Sequence, residues 1–226
     1  MVLIKNGNMI EKIPYKHKIH NLSPFIVEIF DFITDEENEM FFNTIKHFDF
    51  VQSSVVGDLN KISIQNSNRT SSSIGLSLFI SNFTEIFTQK ISDLTNQPIN
   101  LFQELEALKY EVGEKFKPHY DRYNNTDERV IGSRGQRIAT NVLYLNDDYN
   151  GGELVFPKLK IEIKPKKNSL VHFNWNDDNW KYTIHGSKQI KTGTKYCMTC
   201  WIKEKPFGRY NGPKTINPNM EVLKIS

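Results

Sequence analysis

Two histidines and one aspartate could together bind a metal ion in this chain of 226 residues. His119 and Asp121 are two positions apart, so on an extended segment their side chains project to the same face. His185, farther along the chain, can supply a third donor if the fold brings it close. Two imidazoles and one carboxylate on one face, with the opposite coordination positions open, suit Fe(II). The sequence therefore predicts a site for one iron ion per chain.

Length and composition favour a single soluble domain. A chain of this length supports one sizeable core, and two ordinary domains would need more residues. The 29 Lys and Arg residues exceed the 26 Asp and Glu residues by three and are scattered, so neither a nucleic-acid nor a membrane-surface partner is indicated. The first eight residues lack the apolar core of a signal peptide, and no stretch is apolar enough to span a bilayer. We therefore expect an intracellular, soluble protein.

The two cysteines, Cys197 and Cys200, lie in a run that is typical of a β-strand. Positions three apart on a strand face opposite sides, so neither a local disulfide nor a shared metal is expected. A zinc site would need a second Cys or His pair at a suitable spacing, which the sequence lacks. The pattern predicts two buried or half-buried thiols in a reducing compartment.

The first hundred residues predict a strand and two helices that support the site. A strand-like run covers residues 24–33, and Thr34 with a glutamate three positions later forms a capping box that predicts the start of a helix. A second helix is predicted over residues 77–96 from apolar residues three and four apart, and it ends at a Gln-Pro pair. The polar segment 51–75 between the helices is predicted as a loop or a short irregular ribbon.

After residue 100 the pattern changes to short β-rich runs separated by turn residues. The predicted strands cover residues 101–112, 137–145, 153–156, 159–163, 169–173, 182–185 and 196–202. Seven or eight short strands after two helices predict an α+β fold, with an antiparallel double-stranded β-helix (jelly-roll) core and the helices on one side. We divide the chain into an N-terminal support region (1–100) within the same domain, a core (101–204) and a C-terminal tail (205–226).

Four ordered segments of the core carry recognisable motifs, at residues 110–121, 135–140, 144–157 and 185–201. Together they resemble the Fe(II)- and 2-oxoglutarate-dependent dioxygenases, and within these the prolyl 4-hydroxylases of collagen, plant and algal type. The segment 69–72 also resembles the family's segment between its support helices. A His-x-Asp pair alone is common by chance, whereas the ordered set of motifs is specific.

The resemblance implies a role for each candidate in the metal and cosubstrate sites. His119, Asp121 and His185 are the expected ligands of Fe(II). The expected cosubstrate is 2-oxoglutarate, and ascorbate is the expected reductant for iron that becomes oxidised. The distal carboxylate of 2-oxoglutarate needs a buried cation, and Lys195 is the candidate.

Four further residues are expected to line the same cavity. By the resemblance, Tyr110 donates its hydroxyl to the distal carboxylate, and Tyr144 occupies a position that does so in some relatives. Strand alternation places Trp201 on the inward face of the last strand. Arg137 is expected to orient the peptide substrate, although strict alternation puts it opposite Tyr144 unless a bulge intervenes. Leu154 stands where many collagen-type relatives carry threonine, so one hydrogen bond to the cosubstrate is expected to be missing.

The function that the resemblance implies is hydroxylation of proline at C4 in a peptide or protein, with O2 consumed and 2-oxoglutarate converted to succinate and CO2. The stretches 55–73 and 122–136 are predicted lids over an extended, polyproline-like peptide. Two alternatives stay open. One is another 2-oxoglutarate-dependent hydroxylase that acts on lysyl or other side chains, although such relatives favour arginine where Lys195 stands. The other, from a different class, is a non-catalytic jelly-roll module that binds peptides.

Overall fold

The computed structural model describes residues 13–53, 68–123 and 134–206. Within these ranges the α-helices are α1 (Asp35–Ile45) and α2 (Asn82–Thr95), and short 3-10 helices cover Ile99–Leu101, Pro157–Leu159 and Trp180–Tyr182. The strands in the same ranges are β1 (His17–Leu22), β2 (Phe25–Ile29), β3 (Val51–Gln52), β4 (Ser72–Leu76), β5 (Leu105–Tyr110), β6 (Phe116–His119), β7 (Arg137–Tyr144), β8 (Asn150–Gly151), β9 (Leu154–Phe156), β10 (Ile161–Ile163), β11 (Leu170–Asn174), β12 (His185–Ser187), β13 (Ile190–Thr192) and β14 (Lys195–Lys203). No helix in this part of the chain has both the length and the apolarity that crossing a membrane requires.

The strands form two main layers. The larger sheet has the order β1-β2-β11-β7-β14-β5-β4-β3, and each neighbouring pair is antiparallel. The smaller sheet has the order β10-β9-β12-β6, and β13 pairs with β8 separately. Strands from the first hundred residues form both edges of the larger sheet, so this region is built into the same β-structure as the core.

Both predicted helices are present, and their caps explain where they begin. Thr34 caps α1, because its side chain accepts from the Glu37 backbone N–H at 3.2 Å while the Glu37 carboxylate accepts from the Thr34 N–H at 2.8 Å. The predicted capping box is therefore confirmed. The second helix begins later than predicted, since Ser81 forms a capping box with Thr84, and it ends at Asn96 in the left-handed region.

The two helices cover one face of the larger sheet, which we call the helix face. Its core contains Phe41, Ile45, Phe83, Phe87, Ile91 and Leu94 from the helices, and Ala107, Leu143, Met198 and Cys200 from the sheet. The smaller sheet packs against the opposite face, which we call the site face. That second core contains Leu154, Phe156 and Ile163 from the smaller sheet, and Leu108, Tyr110, Val142, Tyr144 and Cys197 from the larger one.

Strand β14 lies between β7 and β5 in the larger sheet, and its side chains alternate between the helix face and the site face. Met198 and Cys200 belong to the helix-face core, whereas Cys197 belongs to the site-face core. The predicted alternation is confirmed, and so is the prediction of two buried, unpaired cysteines on opposite sides of the strand.

Several predicted elements need correction. In the segment 51–75, predicted as a loop or a short irregular ribbon, β3 and β4 pair as a short antiparallel ribbon, and Ile74 is buried on one face of β4. In the run 182–185, Tyr182 is the last residue of a 3-10 helix (Trp180–Tyr182), and strand β12 begins only at His185. Strands β1, β6, β8 and β13 were not predicted. Most of both predicted lids and all of the tail after residue 206 lie outside the described residues.

Candidate active site

The three predicted metal ligands come together on the smaller sheet. His119 is the last residue of β6, His185 is the first of β12, and the two are direct partners in the antiparallel register. Asp121 follows β6 by two residues and reaches both imidazoles. Its carboxylate oxygens lie 3.5 Å from Nε2 of His119 and 3.6 Å from Nε2 of His185. One ligand atom from each residue lies within 4.8 Å of the others.

Backbone hydrogen bonds orient both imidazoles. His119 Nδ1 lies 2.9 Å from the Lys117 carbonyl, and His185 Nδ1 lies 2.9 Å from the Thr183 carbonyl. A carbonyl accepts only, so each Nδ1 carries a proton, and in the neutral form of each imidazole the Nε2 that faces the aspartate has the lone pair that a metal ion needs. The Phe116 ring stacks on His119, with ring centroids 3.6 Å apart, and limits its rotation. Fixed rings of this kind are typical of metal-ligating histidines.

The charges of the three residues suit a divalent cation. Burial alone would raise the pKa of Asp121, but His185, His119 and Arg137 together hold it well below its ordinary value, so the carboxylate is ionised. Burial lowers the pKa of His185 to about 4, which keeps its imidazole neutral at neutral pH. Thr140 Oγ1 donates to Asp121 Oδ2 at 2.6 Å and holds the carboxylate in place. Two neutral imidazoles and one carboxylate on one face are the donors that Fe(II) takes in non-haem oxygenases, so the residues fit this ion.

Lys195 is a buried cation on the site face. It is only 2% exposed, and its Nζ donates to the Gly152 carbonyl at 2.7 Å and to Ser187 Oγ at 3.0 Å. Burial lowers its pKa. Within the described ranges no carboxylate forms an ion pair with this ammonium group, so a bound anion would compensate its desolvation.

The two predicted tyrosines flank this lysine. Tyr110 is the direct partner of Lys195 in the register of β5 and β14, and Tyr144 is the partner of Cys197 on the other side. The lysine Nζ lies 5.1 Å from the centre of the Tyr110 ring and 5.2 Å from that of Tyr144. Burial raises the pKa of both phenols, so both hydroxyls keep their protons and can donate hydrogen bonds.

A β-bulge resolves the predicted conflict between Arg137 and Tyr144. Ile202 pairs with Ala139, whereas the next residue on β14 pairs with Arg137, so one extra residue on β7 changes the alternation. The guanidinium of Arg137 lies 3.7 Å from the centre of the Trp201 ring, and its Nε donates to Gln103 Oε1 at 3.1 Å. The side chains of Arg137 and Tyr144 can therefore both lie on the site face.

Residues without an assigned role in the sequence also belong to this region. Gly152, predicted only to shape a turn, provides a carbonyl acceptor for Lys195 and has a positive φ of 69°. A Cβ there would lie 2.6 Å from Ile190 Cδ1 and 3.1 Å from Lys195 Cδ, so a side chain would displace the neighbours of the lysine. Thr140 and Ser187 bond to predicted site residues across strands, a relation that depends on strand register and has no local sequence signal.

Comparison with known proteins decides the family. Residues 105–203 match the model of the 2OG-Fe(II) oxygenase superfamily. Prolyl 4-hydroxylase 5 of Arabidopsis thaliana is 31% identical over 206 residues, which cover 81% of this chain and 70% of that protein. The chain belongs to the prolyl 4-hydroxylase family of Fe(II)- and 2-oxoglutarate-dependent dioxygenases. Membership in this family confirms the predicted enzyme class and the predicted cofactors, Fe(II) and 2-oxoglutarate, with ascorbate as a typical reductant.

Solved structures of prolyl hydroxylases share the fold. A viral collagen prolyl hydroxylase from Paramecium Bursaria Chlorella virus-1, solved as a 2OG complex, matches with a TM-score of 0.63 at 23% identity and covers 79% of this chain and 95% of that one. A prolyl hydroxylase from Trichoplax adhaerens, in complex with a hypoxia inducible factor peptide fragment, matches with a TM-score of 0.60 at 17% identity, covering 79% and 83%. The predicted jelly-roll core with supporting helices is confirmed.

Proposed function

We propose that this protein hydroxylates proline at C4 in an extended peptide or protein segment, with O2 and 2-oxoglutarate as cosubstrates and succinate and CO2 as coproducts. The proposal is carried by one observation. The cluster of His119, Asp121 and His185 lies in the same jelly roll as a buried Lys195 that has no carboxylate partner among the described residues. Its relative from Arabidopsis bears the name of this activity.

The metal site follows from the residues of the smaller sheet. His119, Asp121 and His185 would hold Fe(II), which supplies O2 activation coupled to the decarboxylation of 2-oxoglutarate. The backbone carbonyls that bind the two Nδ1 atoms and the Thr140 hydroxyl that binds the aspartate fix these three side chains before the metal arrives. No side chain needs to act as a general acid or base. The protein contributes position, charge and exclusion of water.

The cosubstrate site follows from the larger sheet. Lys195 would bind the distal carboxylate of 2-oxoglutarate in a charge-assisted hydrogen bond, and the protonated hydroxyls of Tyr110 and Tyr144 are available as further donors. Trp201 would close the same side of the cavity. A short dicarboxylic acid would thus place one carboxylate at Lys195 and its keto acid end at the metal site.

The peptide side of the site centres on Arg137. Its guanidinium lies over the Trp201 ring, and its Nε is fixed by Gln103, which would leave the remaining N–H groups for a backbone carbonyl of the substrate. A proline-rich segment in the polyproline II conformation has all its carbonyls free to accept such a bond.

The test is a turnover assay with the Fe(II)-loaded protein, 2-oxoglutarate, O2 and ascorbate. Proline-rich peptides are incubated, and succinate, the mass gain of one oxygen atom and 4-hydroxyproline are measured. We expect succinate, a peptide that has gained one oxygen atom, and 4-hydroxyproline in its sequence. None of the three should form with His119→Ala. Peptide-dependent succinate with hydroxylysine as product would replace the prolyl assignment. No succinate above the His119→Ala control with any peptide would favour the non-catalytic binding module.

A further inference from the structure

The ammonium group of Lys195 is only partly satisfied. It has three N–H donors, and two of them go to the Gly152 carbonyl and to Ser187 Oγ. Both acceptors are neutral, and the third donor has no acceptor among the residues that the structure describes. A buried ammonium in this condition favours an anion beside it.

The hydroxyl of Ser187 is only partly used as well. Its oxygen accepts from Lys195, so its own proton is free for another acceptor. The acceptors within reach in the described structure are the carbonyls of Gly152 and Lys188, both at 3.5 Å. This distance is well beyond the usual 2.7 to 2.8 Å for an O–H donor, so these contacts are weak. Ser187 can therefore donate to a stronger acceptor next to Lys195.

The strand register makes Ser187 the polar member of its cross-strand pair. Ser187 on β12 lies directly opposite Leu154 on β9, and Leu154 is buried. Directly opposed side chains lie close together on one face of an antiparallel pair. Leu154 brings no polar atom to this part of the pocket, so the hydroxyl at this pair of positions comes from β12 alone.

We propose that Ser187 is a cosubstrate-binding residue, whose hydroxyl donates to the distal carboxylate of 2-oxoglutarate beside Lys195. One oxygen of the carboxylate accepts the third N–H of Lys195, and an oxygen of the same group accepts the O–H of Ser187. The hydroxyl is polarised for this role because it accepts from the ammonium at the same time. This inference rests on the proposed function, since it requires 2-oxoglutarate to bind at Lys195.

The test is calorimetric titration of the Mn(II)-loaded protein, which reports binding without turnover. The ligands are 2-oxoglutarate and 2-oxopentanoate, which keeps the keto acid end and lacks the distal carboxylate. Ser187→Ala should weaken 2-oxoglutarate binding by about tenfold to a hundredfold, the range for a hydrogen bond to a charged group. It should leave the affinity for 2-oxopentanoate and for Mn(II) unchanged.

Rescue from the opposite strand makes the test specific. Leu154→Thr, added to Ser187→Ala, places a hydroxyl on the facing position and should recover part of the lost affinity for 2-oxoglutarate. Ser187→Cys keeps the approximate volume with a weaker donor and should fall between the wild type and Ser187→Ala. Ser92→Ala, which removes a hydroxyl on α2 that donates to the Gln97 carbonyl, should bind both ligands as the wild type does.

The outcomes separate this inference from the proposed function. Equal 2-oxoglutarate affinity in the wild type, Ser187→Ala and Ser187→Cys overturns the role of Ser187 and leaves the cosubstrate site at Lys195 intact. An equal loss for 2-oxoglutarate and 2-oxopentanoate also overturns it, because the effect would then be structural. If the wild type binds 2-oxoglutarate no better than 2-oxopentanoate, the site at Lys195 fails and the role of Ser187 fails with it.

Discussion

The two faces of the larger sheet use the same strands for opposite purposes. On the helix face, the residues of β14 meet apolar side chains of α1 and α2, and the core there is mostly hydrocarbon. On the site face, the same strand presents Lys195, and its neighbour β7 presents Thr140 to the carboxylate of Asp121. Burial of apolar surface on one face offsets the cost of burying ionisable groups on the other.

Aromatic rings show the same division. On the helix face, the rings of Phe83 and Phe87 stack at 6.1 Å and Phe32 meets Phe87 edge-on at 6.3 Å, so the phenylalanines pack against one another. Near His119 and His185, phenylalanine rings pack against imidazoles as well as against one another, as with Phe173, which lies 4.8 Å from the His185 ring and 5.2 Å from the Phe156 ring. The rings on the helix face contact apolar neighbours, and those on the site face also restrict the imidazoles of the candidate metal site. Substitutions on the two faces should therefore separate stability from activity.

The largest effect should come from the metal site. Asp121→Ala removes the single carboxylate between two histidines, so we expect loss of activity by more than about a hundredfold, since even residues that only support ligands cost ten- to a hundredfold. Succinate release and Mn(II) titration measure this. Asp178→Ala, at an exposed position, is the matched control. Retained metal binding in Asp121→Ala would remove this residue from the ligand set.

On the helix face, Phe87→Ala should lower the free energy of unfolding by about 3 to 5 kcal/mol, because it removes a fully buried ring from the core. Urea denaturation measures this. The KM for 2-oxoglutarate, measured on the folded fraction, should stay unchanged. Leu22→Ala, at a side chain that is 71% exposed, should leave stability nearly as it is. A raised KM in Phe87→Ala would show that the two faces are coupled.

Lys195→Met should lower the affinity for 2-oxoglutarate without lowering stability, which is the reverse of the effect expected for Phe87→Ala. Loss of a buried charged partner costs about 2 to 5 kcal/mol of binding, so the affinity for 2-oxoglutarate should fall by about thirtyfold or more. Mn(II) affinity should persist, and the free energy of unfolding should not decrease, because an uncompensated buried ammonium is removed. Lys188→Met, on an exposed lysine paired with Glu162, is the control. Equal affinity in Lys195→Met and the wild type would place the cosubstrate elsewhere.

Sequence patterns predicted the parts of the fold that depend on local chemistry. The capping box at Thr34 and the alternation along β14 depend on spacing within a few residues, and both are confirmed. The start of α2 was misplaced because apolar spacing continues upstream of Ser81, where a second capping box begins the helix. The sequence leaves open a loop or a short ribbon at β4, because the polar residues of this strand obscure the buried alternation with which it pairs to β5.

The residues of the candidate site also fall into those that the sequence predicts and those that only the fold brings together. His119, Asp121 and Lys195 stand out by residue type and motif order. The bonds from Thr140 to Asp121 and from Lys195 to Ser187 join residues from different strands, and they depend on register and on the bulge near Arg137. Register is set by the whole sheet, so no local pattern could reveal these supporting residues.

The smallest effect should come from Thr140→Val, which keeps the shape of the side chain and removes the hydroxyl that donates to Asp121. Supporting residues of this kind change metal affinity by about ten- to a hundredfold, and we expect Mn(II) affinity to fall within that range. Thr140→Ser, which keeps the hydroxyl, should restore it.

Thr88→Val is the matched control for Thr140→Val on the opposite face. Thr88 is also fully buried, but its hydroxyl donates to the Thr84 carbonyl within α2. Loss of the Thr88 hydroxyl should leave the Mn(II) affinity unchanged, even if the free energy of unfolding decreases. If both valine variants lowered Mn(II) affinity equally, the effect of Thr140 would be a general loss of packing, and the assignment of its hydroxyl to the carboxylate of Asp121 would be wrong.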